Sequence, residues 1–341
     1  MRAVVLRKTG EPEQLVSDEL PDPILQPEDV LVRIRAAAVC GRDLIDRRGG
    51  FPLMKLPTVL GHEFAGEVVA LGALAAASGL NVGDRVINLH RPSCGACRRC
   101  VNGELILCER AWQSFGHTVD GGYAELCAAH HRALVKVPAS VPFEVASTLM
   151  CTAGVALYAL RSRGRLTLGE TALITGASGG IGHIAVQLAK RIGARVLAVA
   201  SGTDGVALVE ELGADVAVDG HSDDVAEAAR AFAPEGLDAA LVLAGGKEAS
   251  LALEAVKHKG RIAYPNGVEP VPDTPEGTVA IAYDGTPGAE ALDRLNRLIG
   301  VEPFHVELAQ LYLLEDAAKA HLELDKHHLG KLAFKVGPTS P

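Results

Sequence analysis

Aromatic residues make up only 4% of this 341-residue chain, with a single tryptophan. Its cores must therefore be filled by Val, Ile, Leu and Ala, which bury readily. An excess of basic charge is missing too: the formal net charge is −9 at pH 7. That sign argues against nucleic-acid and anionic-membrane partners, which are bound through Lys and Arg. No apolar run approaches the length of a membrane span. The start, Met1-Arg-Ala-Val-Val-Leu-Arg-Lys8, has too short an apolar stretch for a signal peptide. A cytoplasmic location is the expectation. Internal repeats and low-complexity linkers are absent. What remains is an ordinary globular composition, 48% hydrophobic and 22% charged, long enough for two domains.

The pattern of elements divides the chain. Up to residue 140, short stretches such as Ala3–Leu6, Val30–Ile34, His62–Leu71, Arg85–Leu89, Tyr123–Ala128 and Leu134–Val137 read as strands between turn signals. They predict a barrel-like β domain. Phe143 to Leu160 is Ala-rich and reads as helix. From Ala172 onward, strands and helices alternate through Tyr283, which predicts a parallel sheet with helices on both faces. The tail returns to mixed character, with a helix over Leu314–Leu324 and a strand over Lys331–Val336.

The most telling stretch is Thr171-Ala-Leu-Ile-Thr-Gly-Ala-Ser-Gly-Gly-Ile-Gly182. A buried strand runs into a Gly-rich turn, and Ile184, Ala185, Leu188 and Ile192 then recur at helical spacing. Backbone N–H groups there can approach a pyrophosphate, and the helix dipole favours its charge. A Gly-rich turn by itself can also be only a tight turn.

Seven cysteines in such a chain point to metal or catalysis before disulfides. Four of them, Cys94, Cys97, Cys100 and Cys108, lie within fifteen residues. Thiolates so spaced converge on one tetrahedral ion and close its shell, which makes a structural site. Arg91, Arg98, Arg99 and Arg110 surround it in sequence and would offset its negative charge. Cys40, Cys127 and Cys151 remain, and composition alone does not bring them together. Cys40 and Cys151 could be small buried hydrophobes, and His62 a hydrogen-bonded core residue.

Gly61-His62-Glu63 with Gly66, the four-cysteine segment, Gly83-Asp84, Gly122-Tyr-Ala-Glu125, Cys151-Thr-Ala-Gly154 and Gly330-Lys331 together resemble the zinc-containing medium-chain dehydrogenase/reductase superfamily, which includes zinc alcohol dehydrogenases. The resemblance spans essentially the whole chain. It implies an α/β protein: a GroES-like catalytic domain from residues 1–145 and 301–341, with a structural zinc lobe at 91–110, and a Rossmann-type coenzyme domain at 146–300. It implies two zinc ions per chain. Cys40, His62 and Cys151 would hold the catalytic ion, Glu63 would approach it, and Asp43 would steady the histidine. Cys94, Cys97, Cys100 and Cys108 would hold the structural ion. Gly176, Ser178, Gly179, Gly180, Ile181, Gly182, Ser201, Thr203 and Gly245 would contact NAD(P)(H). A homodimer or homotetramer is implied as well.

Two departures from the family pattern stand out. Alcohol dehydrogenases of this kind usually carry Ser or Thr two residues after the first ligand, where the hydroxyl passes on the alcohol proton; here that position is Arg42. Arginine stays charged and is no neutral relay. The surrounding Cys40-Gly-Arg-Asp-Leu44, Pro52-Leu-Met-Lys55 and Pro57-Thr-Val-Leu-Gly-His62 resemble acryloyl-CoA reductases of the same superfamily. The second departure is Ala200, which stands where an acid would hold the NAD ribose. Its absence, with Ser201 and Thr203 next to it, favours NADP(H).

The leading expectation is a zinc-dependent NAD(P)(H) oxidoreductase moving hydride between nicotinamide and a small-molecule alcohol or carbonyl. An NADPH-dependent enoyl or quinone reductase is the alternative. A non-enzymatic zinc- and nucleotide-binding protein is the third. Phe51, Trp112 and Phe115 are pocket candidates only by proximity to the motifs.

Overall fold

Val30, Val32 and Ile34 are fully buried while Arg33 among them faces solvent, the period-two pattern of a half-buried strand. They belong to a computed structural model that describes residues 1–102, 108–110, 113–283, 289–301 and 304–337. Trp112 and the 103–107 part of the expected zinc lobe lie outside the described residues. Contacts divide the chain into two units, Met1–Cys151 with Thr286–Val301 and Leu308–Pro341, and Thr152–Gly285 with Glu302–Glu307.

The first unit carries β1 (Arg2–Leu6), β2 (Leu15–Glu19), β3 (Asp29–Val39), β4 (Thr58–Val59), β5 (Phe64–Leu71), β6 (Arg85–Asn88), β7 (Leu126–His130) and β8 (Leu134–Lys136). The second carries β9 (Thr171–Thr175), β10 (Arg195–Ala200), β11 (Val216–Asp219), β12 (Leu237–Val242), β13 (Val256–Pro265) and β14 (Val279–Tyr283). The tail returns β15 (Leu308–Tyr312) and β16 (Lys331–Lys335) to the first unit.

In the first unit β2, β1 and β4 form a three-stranded sheet, and a seven-stranded sheet runs β15-β16-β3-β5-β6-β8 with β7 also on β3. β3 is the organising strand. Its C-terminal half pairs with the start of β5 (Ala37 with Phe64) and with β16 (Val39 with Leu332). Three distant segments are thereby brought to one edge, just where Cys40 follows. Val32, Ile34, Phe64, Val86, Tyr123 and Phe334 are among the residues of one buried cluster beneath it.

In the second unit the order is β11-β10-β9-β12-β13-β14, with every pair parallel. The chain winds outward from β9 in both directions, so the order reverses between β9 and β12. That reversal is the switch point of a doubly wound sheet, where nucleotides bind beyond the strand ends. The expected GroES-like plus Rossmann-type α/β architecture is thus what the chain forms.

Several local expectations change. The strand expected from Tyr123 starts only at Leu126, because Tyr123 donates its N–H to the Leu60 carbonyl and turns its ring inward. The tail helix is shorter than expected, a 3-10 turn over Leu314–Asp316 leading into Ala317–Glu323. The helix Ala289–Val301 goes with the first unit, whereas residues 289–300 are expected from the sequence in the coenzyme domain. Residues Phe143–Arg163 form a helical stretch of 21 residues, long and apolar enough to cross a membrane by length and composition, where the sequence reading found no such run. Since 67% of its apolar window is buried inside the protein, it reads as a core helix.

Candidate active site and metal centres

Cys40 ends the extended run of β3 and caps the helix Gly41–Arg47, and its backbone N–H donates to Asp43 Oδ2 at 3.0 Å. His62 and Glu63 immediately precede β5. They follow Gly61, whose φ of +93° is left-handed and whose Cβ, if present, would lie 2.3 Å from the Tyr123 ring. Only glycine fits that approach. Asn88 receives the Phe64 N–H at 2.7 Å and donates to the His62 carbonyl at 2.7 Å, so the backbone around the His–Glu pair is satisfied away from the sheet. Cys151 sits in a π-helical turn, Leu149–Ala153. Such turns are frequent at functional sites.

These segments meet. Ligand atoms of Cys40, His62, Glu63 and Cys151 all lie within 4.8 Å of one another. His62 Nδ1 is 2.9 Å from Asp43 Oδ1, which leaves Nε2 for the cluster. Tyr123 donates its hydroxyl to Asp43 Oδ2 at 2.8 Å, so both carboxylate oxygens are engaged. The buried Lys331 ammonium donates to Glu63 Oε1 at 2.9 Å, while Glu63 Oε2 has no partner among the described residues. An orphaned buried oxygen beside two thiols and an imidazole is a donor set that fits a metal ion.

The electrostatics agree. Hydrogen bonding from Cys151, outweighing burial, pulls Cys40 well below the usual thiol range, and Lys331 and His62 add to it. Burial disfavours a charged His62, yet the Asp43 carboxylate raises it well above the usual imidazole range. Burial lifts Glu63 to about 7 in spite of Lys331.

The second cluster is Cys94, Cys97, Cys100 and Cys108, again within 4.8 Å of one another and all free thiols. Sulfur separations are 3.5 Å for Cys97–Cys100, 3.9 Å for Cys94–Cys100 and 4.0 Å for Cys97–Cys108. A tetrahedron with Zn–S bonds of about 2.3 Å has edges of about 3.8 Å, so the donor set fits zinc. Backbone N–H groups of Ala96 and Cys97 point at Cys94 Sγ and hold its thiol down at about 6. Arg110, expected as a counter-charge, gives its backbone N–H to Cys108 Sγ. Cys127 is buried apart from both clusters, and burial pushes its thiol up.

In the second unit the Gly-rich turn leads from β9 into the helix Gly182–Ile192, with Ile181 as its cap. A Cβ on Gly182 would lie 2.1 Å from the Gly176 carbonyl oxygen, so the turn closes only around glycine. Gly179 and Gly180 lie half-buried along it. Ser178 is buried and accepts the Ser201 N–H at 3.3 Å, which joins the turn to the end of β10. Gly245 packs against the Pro270 carbonyl. Ala200 is buried at the end of β10, opposite Asp219 of β11. Asp219 accepts from the N–H groups of Gly202 and His221. Ser201 Oγ is 2.9 Å from His221 Nε2, and Thr203 is exposed nearby. His221 was not anticipated, because it lies in the loop after the neighbouring strand.

Arg42 does not take the place of the missing hydroxyl. Its Nε pairs with the buried Asp46 carboxylate at 2.8 Å, and its guanidinium lies 5.4 Å from the Phe51 ring centre. Asp46 also receives His117 Nε2. Phe51 packs on His117 with ring centres 4.4 Å apart, and Phe115 packs edge-on to Phe64 in the core. The sequence reading missed Asp46, His90, Ser114 and His117. Scattered over more than seventy residues, they offer no spacing signal.

Known proteins are similar to this chain over most of its length. A model of the alcohol dehydrogenase GroES-like domain matches residues 26–139, and one of the zinc-binding dehydrogenase domain matches 180–271. Alcohol dehydrogenase 1 of Emericella nidulans is 35% identical over 339 residues, 93% of this chain and 95% of that protein. The acryloyl-coenzyme A reductase of Metallosphaera sedula is 38% identical over 209 residues, 61% of each chain. A crystal structure of an NAD-dependent alcohol dehydrogenase superposes with a TM-score of 0.91 at 31% identity, covering 99% of this chain and 100% of that one. The chain therefore belongs to the alcohol dehydrogenase family of zinc-containing medium-chain dehydrogenases, and it is an oxidoreductase of that type.

Proposed function

We propose that the chain is an alcohol dehydrogenase or carbonyl reductase holding two zinc ions and preferring NADP(H). The observation that carries this reading is the convergence of Cys40, His62, Glu63 and Cys151 on one point from three separate stretches of chain. In this reading Cys40, His62 and Cys151 are the catalytic ligands, Glu63 is an alternate ligand held back by Lys331, and Cys94, Cys97, Cys100 and Cys108 hold the structural ion. Three ligands leave one position for substrate. Zinc bound there supplies a Lewis acid for a substrate oxygen, and the nicotinamide supplies or accepts hydride. Asp43 fixes the His62 tautomer so that Nε2 faces the site. The turn from Gly176 to Gly182 receives the pyrophosphate, and Gly245 lets the backbone approach close by.

The NADP(H) preference rests on Ala200, which presents no carboxylate to repel a 2′-phosphate, and on Ser201 and Thr203 beside it. We take the chain to act on a small molecule as a cytoplasmic homodimer or homotetramer, which light scattering on the purified protein checks for size.

Arg42 favours a second reading, NADPH-dependent reduction of an activated carbon–carbon double bond, as the name of the Metallosphaera sedula relative suggests. Hydride would then reach the β-carbon and a proton the α-carbon. A panel of alcohols, carbonyls, quinones and enoyl thioesters, run with both coenzymes, separates the readings. Alcohol turnover with better efficiency on NADP+ than NAD+ is the expected result. Reduction of acryloyl-CoA or crotonyl-CoA without alcohol turnover would replace the first reading by the second. Coenzyme binding with no hydride transfer to any acceptor would leave a sensor.

A further inference from the structure

Beside the ligand cluster lies a set of polar groups that the proposed chemistry does not use. The His90 ring is 5.1 Å from the His62 ring. Ser114 Oγ is 3.0 Å from His90 Nε2 and 3.0 Å from His117 Nδ1. His117 Nε2 meets Asp46 Oδ2, and Asp46 Oδ1 pairs with Arg42, whose side chain is 39% exposed. His117 and Asp46 are buried, at 2% and 1% exposure.

The chemistry of the groups gives this chain one direction. A carboxylate only accepts, so His117 must carry its proton on Nε2. With one proton on the ring, Nδ1 is then a lone pair, and Ser114 must donate to it. Ser114 oxygen therefore accepts, and His90 must carry its proton on Nε2. His90 Nδ1 is left as a bare acceptor, with no hydrogen-bond partner among the described residues. A direct His90–His117 approach of 3.3 Å is longer than either bond through Ser114.

We propose that His90, Ser114, His117 and Asp46 form a proton relay that replaces the hydroxyl missing at Arg42 and runs from the substrate oxygen to solvent beside Arg42. The proposal rests on the alcohol–carbonyl reading above. In oxidation, the substrate O–H bond breaks and its proton goes to His90 Nδ1. The Nε2 proton of His90 passes to Ser114 Oγ, the Ser114 proton to His117 Nδ1, and the His117 Nε2 proton to Asp46. The O–H electron pair becomes the second bond of the carbonyl, and the carbinol C–H leaves as hydride to the oxidised coenzyme. Asp46 then releases the proton to water, and the relay resets when the Ser114 hydroxyl turns back and each imidazole gives its Nδ1 proton to water and takes one from water at Nε2. Reduction runs the same steps backwards. Arg42 serves as a positioning residue that holds the Asp46 carboxylate in place.

The test compares wild type with His117→Phe, which keeps a ring against Phe51 but breaks the chain. Benzyl alcohol and propan-2-ol are the probes, with metal analysis on each preparation. The expected result is a fall in kcat of about 10²-fold, the low end for general acid–base catalysis. KM for alcohol and zinc content should stay unchanged, the solvent deuterium isotope effect should increase, and added imidazole should restore part of the rate. Independently of turnover, 15N-histidine spectra of the metal-free wild type should show both rings as Nε2–H tautomers. Asp46→Asn provides a second break should His117→Phe fail to fold, with the same isotope effect expected. Unchanged kcat and isotope effect in a folded, zinc-replete variant would overturn the relay alone, as would Nδ1–H tautomers. Absence of alcohol or carbonyl turnover in wild type would defeat the activity reading and the relay with it.

Discussion

Asp43 holds His62 from behind: Oδ1 lies 2.9 Å from Nδ1, while Oδ2 is fixed by the Tyr123 hydroxyl at 2.8 Å and the Cys40 N–H at 3.0 Å. One buried carboxylate thus sets the direction of the imidazole and ties it to the segment carrying Cys40. Burial opposes its ionisation, but the neighbouring His62 holds it well below the usual carboxylate range. Asp43→Ala should weaken zinc binding at this centre by about 10- to 100-fold, the usual loss for a partner of a ligating histidine. Competition with a chromophoric chelator measures it, and an unchanged affinity would remove Asp43 from this role.

Metal content should separate the two clusters. Wild type is expected to carry two zinc ions per chain and His62→Ala about one, with the four-cysteine cluster still filled. Retention of both ions in the variant would exclude His62 as a ligand.

The four-cysteine cluster is closed and should contribute to folding rather than to turnover. Cys97→Ser should therefore lower the thermal midpoint by about 5 °C or more while the other ion remains bound. Calorimetry with parallel metal analysis checks both parts. A variant with an unchanged midpoint would show that the thiols hold nothing structural.

Glu63 makes the metal-free protein sensitive to pH. Its folded value, about 7, lies above the ordinary 4.5 because burial disfavours the charged form. Folding therefore favours the protonated acid. That contribution is whole below about 4.5 and is lost as pH rises through 7. Denaturant titrations of chelator-treated protein should show wild type losing about 3 kcal/mol across that window relative to Glu63→Gln. Parallel curves for the two proteins would contradict the assignment.

The coenzyme turn leaves no room for a methyl group. Gly182→Ala would place a Cβ 2.1 Å from a backbone carbonyl, and both partners are main chain. The turn must open, at a cost of about 2 kcal/mol or more in stability. NADPH binding followed by nicotinamide fluorescence should weaken in step. Normal binding by a folded variant would place the pyrophosphate elsewhere.

Much of this was legible because it is local. The Gly-rich turn, the four cysteines and the Gly61-His62-Glu63 run each announce themselves within a few residues, and the alternation of strands and helices predicted the parallel sheet. Cys40 and Cys151 were reached only through family resemblance, since over a hundred residues separate them and no periodicity connects them. Lys331 meets Glu63 across 268 positions, and His117 meets Asp46 across 71. The first pair is set by the register of β3 against β5 and β16, which sequence spacing does not encode. Helix Gly41–Arg47 was missed because it is short and carries polar residues on its buried face, Asp43, Asp46 and Arg47 among them.

Asn88 shows how narrow a choice such a fold can impose at a distance from any metal. Its amide oxygen faces an N–H and its amide nitrogen faces carbonyls at 2.7 and 3.2 Å. Aspartate has the shape but nothing to donate, and leucine has the bulk but offers neither donor nor acceptor. The side chain acts as a borrowed length of backbone, a rung inserted where the sheet has none. It lets two residues leave the strand pattern and face the site without stranding their own amides. The backbone geometry at His62 therefore depends on a residue twenty-six positions further along the chain.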